Sequence, residues 1–187
     1  MVMRARVWLL AAAQLLMALA PCGAQDGALR LELISAPVQP GAPVYVNALL
    51  ANPSGERVVV IRQHIQFPRE KLVFSQARLG IAGSLSDAEL RLEMKDASGA
   101  KVTDKGAAQS LDITISGKKT FEDGPLIEFE FRPVDSKAES IRVAHTAEAL
   151  DDQGGKIAVA FSDTEVVVSE NVAPPPAPAI GCFFFTH

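Results

Sequence analysis

Hydrophobic and polar residues alternate with a period of two along most of this chain. Val44, Val46, Ala48 and Leu50 mark one such stretch, and Val59, Ile61, Ile65 and Phe67 mark the next. Strict alternation is the pattern of a strand with one face in a core and the other in water. It recurs at Leu29, Leu31 and Leu33, at Leu90, Leu92 and Met94, at Leu111, Ile113 and Ile115, and at Ile127, Phe129 and Phe131. Ile141 and Val143 follow, and Ile157, Val159 and Phe161 lead into Val166, Val167 and Val168. Turn-forming clusters separate these stretches: Gln39-Pro40-Gly41, Asn52-Pro53-Ser54-Gly55, Asp96-Ala97-Ser98-Gly99, Glu122-Asp123-Gly124-Pro125 and Asp151-Asp152-Gln153-Gly154-Gly155. No long helical period interrupts them, although residues 84–90 allow one helical turn with Ser86 as its cap. About nine short strands with turns at this spacing predict an all-β fold, an antiparallel β-sandwich of jelly-roll topology.

The two ends depart from this pattern. Arg4 and Arg6 precede an apolar run from Val7 to Ala20, broken by Gln14, and Cys22-Gly23-Ala24 then supplies small residues. That is the layout of a secretory signal peptide cut after Ala24, with an apolar run too short for a comfortable membrane span. Lipidation at Cys22 is disfavoured by Pro21 directly before it. The domain is therefore expected over residues 25–170. Residues 171–187 carry Pro174-Pro175-Pro176 and Pro178, a semi-rigid linker, and then a tail with Cys182 and three phenylalanines. Cys182 in that setting is similar to an envelope-anchoring tail, and an unselected tail is the plainer reading.

Composition narrows the function. Without the leader, 16 Lys and Arg face 22 Asp and Glu, a net charge of about −6. No basic cluster is present, so nucleic acid is not an expected partner. Cys22 and Cys182 are the only cysteines of the 187 residues, so no disulfide framework holds the body and a packed core must.

Candidate chemistry is sparse. The sequence has no GxSxG, HExxH, phosphate-loop or dinucleotide signature. His64, His145 and His187 do not form a zinc-binding spacing, and His145 reads as a structural histidine in the register of Ile141 and Val143. Asp151 and Asp152 offer fewer oxygens than calcium requires and read as a turn. Glu128 and Glu130 alternate on one strand, whereas catalytic carboxylate pairs face each other across a cleft. Beyond the leader there is one Tyr, Tyr45, and no Trp, which weakens a sugar-stacking platform. Neither catalysis, a cofactor nor a metal is expected.

Four segments, in order, carry a family likeness. They are Pro40-Gly41 before the Val44/Val46 strand, Ile65-Gln66-Phe67-Pro68-Arg69-Glu70-Lys71-Leu72-Val73-Phe74, Asp123-Gly124-Pro125-Leu126-Ile127-Glu128-Phe129-Glu130-Phe131, and Ala149-Leu150-Asp151-Asp152-Gln153-Gly154-Gly155-Lys156-Ile157. Over residues 29–169 the chain resembles a cohesin domain, the secreted bacterial β-sandwich that binds dockerin modules in cellulosomes. The corner at Phe67-Pro68-Arg69 lacks the family's aspartate, and the loops lack the Asp and Asn of calcium-binding relatives.

The resemblance implies a non-catalytic interaction module that docks a partner on one sheet face containing the third strand. Carried onto this sequence, that strand points Ile61, Gln63, Ile65 and Phe67 inward and Val58, Val60, Arg62, His64 and Gln66 outward, and these five are the expected partner-binding residues. Gln63 is the odd inward residue; a bulge beside it would swap the faces. The expected partner is another secreted or envelope protein, a dockerin-like module among the possibilities. Two alternatives stay open: a carbohydrate-binding module acting on polysaccharide, and a structural cell-envelope domain. Contact with a membrane is expected only through an anchor.

Overall fold

The computed structural model describes residues 27–96, 108–135, 137 and 139–172. The expected leader, residues 97–99 of the expected turn, and the tail with Cys182 lie outside them. In chain order the elements are β1 (Leu29–Ser35), β2 (Val44–Ala51), β3 (Val60–Pro68), β4 (Leu72–Leu79), α1 (Ile81–Leu85), β5 (Glu89–Asp96), β6 (Ala108–Ser116), β7 (Gly124–Pro133), β8 (Glu139–Leu150), β9 (Lys156–Ile157), β10 (Val159–Ser162) and β11 (Thr164–Val168).

These strands build two sheets packed face to face. One has the order β10-β1-β2-β7-β4; the other has the order β11-β8-β3-β6-β5, with β9 added beside β8. The expected sandwich is therefore present, with two differences. The pairing of β1 with β10 is parallel, while the other strand pairs are antiparallel. The stretch from Ile157 to Val168, read as one run leading into another, breaks into three strands that change partners: β9 pairs β8, β10 crosses to β1, and β11 returns to β8. Asp163 sits at the second break, its carboxylate taken by Arg142 and by the His145 backbone N–H.

The alternating apolar residues meet between the sheets. Leu31, Val44, Val46, Phe129 and Phe131 from one sheet and Ile61, Ile65, Leu111, Ile113 and Val143 from the other are buried in one core. Phe67 packs edge-on against Phe131 at 5.0 Å between ring centroids, which ties β3 to β7 across the sandwich. Phe161, in the same alternating register, is instead 45 % exposed, because β10 is an edge strand.

The helical turn falls earlier than the sequence suggests. It spans Ile81–Leu85, and Ser86 closes its C-terminal end, its hydroxyl donating to Ala82 O at 2.9 Å. Gly80 enters it so close to β7 that a Cβ would overlap the Pro125 carbonyl.

Candidate docking face

β3 lies in the middle of its sheet, between β6 and β8, and both ladders run without a register shift along it. No bulge therefore disturbs the alternation. Ile61, Gln63, Ile65 and Phe67 face the core, and Val60, Arg62, His64 and Gln66 face out. The expected orientation of these residues holds, including buried Gln63.

Val58 is the exception. It lies before β3 and is fully buried, and its carbonyl accepts the Phe121 N–H at 2.8 Å. Extending the alternation two residues past the start of the strand placed it outward; in the structure the chain there turns under residues 117–121. Val58 belongs to the core and not to the face.

Cross-strand register assembles the rest. Arg62 stands between Thr114 of β6 and Glu148 of β8, and His64 between Asp112 and Thr146. These six residues rim a shallow, open depression of about 300 Å³. Arg62 Nη1 pairs with Glu148 Oε2 at 3.3 Å, and Lys156 holds the other oxygen of that carboxylate. His64 Nδ1 lies 2.6 Å from Asp112 Oδ1, and Lys95 Nζ of β5 donates to Asp112 Oδ2 at 2.7 Å. Gln66 Nε2 lies 2.9 Å from His64 Nε2. This chain is satisfied when the Gln66 amide donates to Nε2 and the Nδ1–H donates to Asp112.

The face is thus a lattice of opposite charges. Hydrogen bonds from Lys95 and then His64 hold the Asp112 carboxyl below the usual range, and Lys156, ahead of Arg62, does the same for Glu148. Asp112 and His64 have the geometry of a base and its orienting carboxylate, but the remaining imidazole nitrogen meets the Gln66 amide and not a hydroxyl or thiol. What the arrangement offers is a flat, preorganised set of donors and acceptors.

Asp112, Thr114, Thr146 and Glu148 were not anticipated. The alternation of Leu111, Ile113 and Ile115 carried a signal for two of them, since their neighbours must point out. Which strand lies beside β3 is a matter of register, and sequence spacing is silent on it. For the same reason the Asp112 carboxylate beside His64, 48 residues away in the chain, was invisible to sequence spacing.

The other candidates fall away from this face. His145 is buried on the inner side of β8, as expected. Asp151 spends one carboxylate oxygen on the Gln153 and Gly155 backbone N–H groups, at 2.9 and 2.6 Å, and Asp152 pairs with Arg57 at 2.7 Å. Glu128 and Glu130 lie on the outer face of the other sheet, bonded to Arg78 and Gln76.

Comparison with solved structures settles what this architecture is. A non-cellulosomal cohesin from the archaeon Archaeoglobus fulgidus superimposes with a TM-score of 0.59 at 16 % identity, over 76 % of this chain and 91 % of that one. The chain has a cohesin-like fold. A type I cohesin–dockerin complex from Clostridium thermocellum matches with a TM-score of 0.57 at 12 % identity, over 75 % of this chain and 99 % of its own. A cohesin module from a Clostridium perfringens family 33 glycoside hydrolase matches at 0.52 and 14 % identity, over 76 % and 97 %. No protein-family model matches the sequence, and no curated protein does at a significant level.

Proposed function

We propose that this cohesin-like domain is a non-catalytic protein-interaction module, exported from the cell, that docks a protein partner on the outer face of β8, β3 and β6. Val60, Arg62, His64 and Gln66 form its centre, and Asp112 and Glu148 complete it. The observation that carries the reading is the flat, charge-paired face around β3, the sheet that the cohesin resemblance assigns to the partner. Fixed polar groups of this kind suit a folded partner, because they select orientation and exclude wrong charges. Cohesins solved together with dockerins support a dockerin-like module as the partner.

A polysaccharide ligand has less support. Tyr45 and Phe161 are the exposed rings among the described residues. Phe161 lies beside Leu31, on the inward side of the five-stranded sheet, whereas Tyr45 points outward with Glu130. Two rings on opposite sides of a sheet make no platform for consecutive sugars.

The test is capture from the source organism's secreted and envelope fractions, followed by calorimetry with the captured protein. Wild type should retain a defined partner, and Arg62→Glu should weaken it about tenfold or more, the loss expected of a central interface residue. The melting temperature should stay unchanged, since exposed ion pairs contribute little to stability. Retention on insoluble polysaccharide with no protein captured would replace this reading with the carbohydrate-binding one.

A further inference from the structure

A sandwich has four edges, and three of them are blunted here. β4 carries a register irregularity between Phe74 and Gln76. β10 has only four residues. β11 is partly covered by Val38, which bridges Val168 and exchanges backbone hydrogen bonds with Val167 and Ser169 at 2.9 Å each. β5 is different. It runs eight residues, without proline and without a shift in its register, and among the described residues it pairs with β6 alone. A long regular edge presents unpaired backbone donors and acceptors, which folded proteins normally guard against.

Its side chains also lack cover. Leu92 and Met94 share the core-facing side with Ile113 and Leu111, yet at this sheet edge they are 36 % and 53 % exposed. On the outer side Glu89, Arg91, Glu93 and Lys95 alternate in sign. That order is self-complementary. When two copies of β5 run antiparallel about a two-fold axis at Leu92, Arg91 faces Glu93, Glu89 faces Lys95, and Leu90 faces Met94. Moving the axis to Arg91 sets Arg91 against itself and Glu89 against Glu93. Moving it to Glu93 sets Glu93 against itself and Arg91 against Lys95. A shift between residues would put charge against apolar side chains. One register is favourable and its neighbours are repulsive.

We infer that β5 is a dimerisation edge, pairing with β5 of a second copy of this chain in the register centred on Leu92. The two six-stranded sheets then join into one continuous sheet, and Leu92 and Met94 are covered by Leu92 and Leu90 of the other copy. The docking faces of the two copies lie side by side and stay open.

Sedimentation velocity on the full chain across a wide concentration range tests this, with circular dichroism as the check on folding. Wild type should pass from monomer to dimer as concentration rises. Arg91→Glu places like charges across both flanking pairs and should remain monomeric, and so should Glu93→Arg. Mixing those two variants restores opposite charges at both positions and should regenerate a dimer, which excludes misfolding as the cause of either loss. The double variant Arg91→Glu/Glu93→Arg should dimerise with itself. A wild type that stays monomeric throughout overturns the inference, and so does a dimer that Arg91→Glu leaves intact.

Discussion

Gln63 is buried to 3 % exposure in the middle of an otherwise apolar inner row, and among the described residues neither end of its amide has a hydrogen-bond partner. A buried amide without partners costs on the order of 1–3 kcal/mol. Gln63→Leu keeps the approximate volume and removes the polar atoms, so it should stabilise the domain by about 1 kcal/mol. Urea denaturation would show a higher midpoint at an unchanged slope. A lower midpoint would mean that the amide is satisfied in solution. His145 is a second polar residue in the core, and burial pushes its imidazole down against the weaker upward pull of the Ser162 carbonyl and the Asp163 charge. The unfolded chain takes up a proton near pH 6.5, where the folded one does not. The unfolded state therefore binds more protons, and stability falls as the pH drops below about 6.5, until the folded imidazole is protonated as well. His145→Leu should lose this slope relative to wild type. Urea midpoints taken from about pH 7.5 to about pH 5 check it, above the range in which the lowered Asp163 and Asp112 carboxyls titrate.

Among the elements, the β10–β11 junction depends on one carboxylate. Asp163 accepts Arg142 Nε and Nη2 at 3.0 and 2.5 Å with one oxygen, and the His145 N–H at 2.9 Å with the other. Asp163→Ala leaves a half-buried backbone N–H without a partner and should destabilise by about 2 kcal/mol. Asp163→Asn keeps an oxygen for that N–H and loses mainly the exposed ion pair, so most of the stability should return; equal losses in the two variants, by thermal unfolding, would contradict this division. The junction also shows what the sequence can disclose about elements. Strands with clean alternation, such as β1, β2, β3, β6 and β7, were legible because each buries one face. The break at Asp163 was not, since it depends on Arg142, which lies 21 residues earlier in the chain and meets it only through the pairing of β8 with β11. Val58 failed for a related reason: alternation has meaning only inside a strand, and nothing local marks where β3 begins. On the docking face, the outward residues of β3 were readable, while the charged partners brought by β6 and β8 were set by register.

At the scale of the whole molecule the two proposed surfaces are geometrically independent and functionally linked. Arg62 and His64 project from the centre of the six-stranded sheet, and β5 lies at its rim, separated from β3 by β6. Closing the β5 edge therefore covers neither residue. A single docking event should be indifferent to dimerisation: calorimetry of Arg91→Glu against the captured partner should return the wild-type affinity per site. A surface that carries many copies of the partner is different. There a dimer engages twice, and the second contact forms at a high effective concentration, which raises apparent affinity by about 10²-fold or more when the geometry allows both. Surface-bound partner should thus release wild type slowly and Arg91→Glu quickly, while Arg62→Glu should bind poorly in both formats. Lys95 ties the two surfaces together, since it holds Asp112 on the face and Glu93 on the edge, at 2.7 and 3.3 Å. If Arg91→Glu also weakened single-site docking, the face would reach as far as β5, and the partner would compete with the second copy instead of gaining from it.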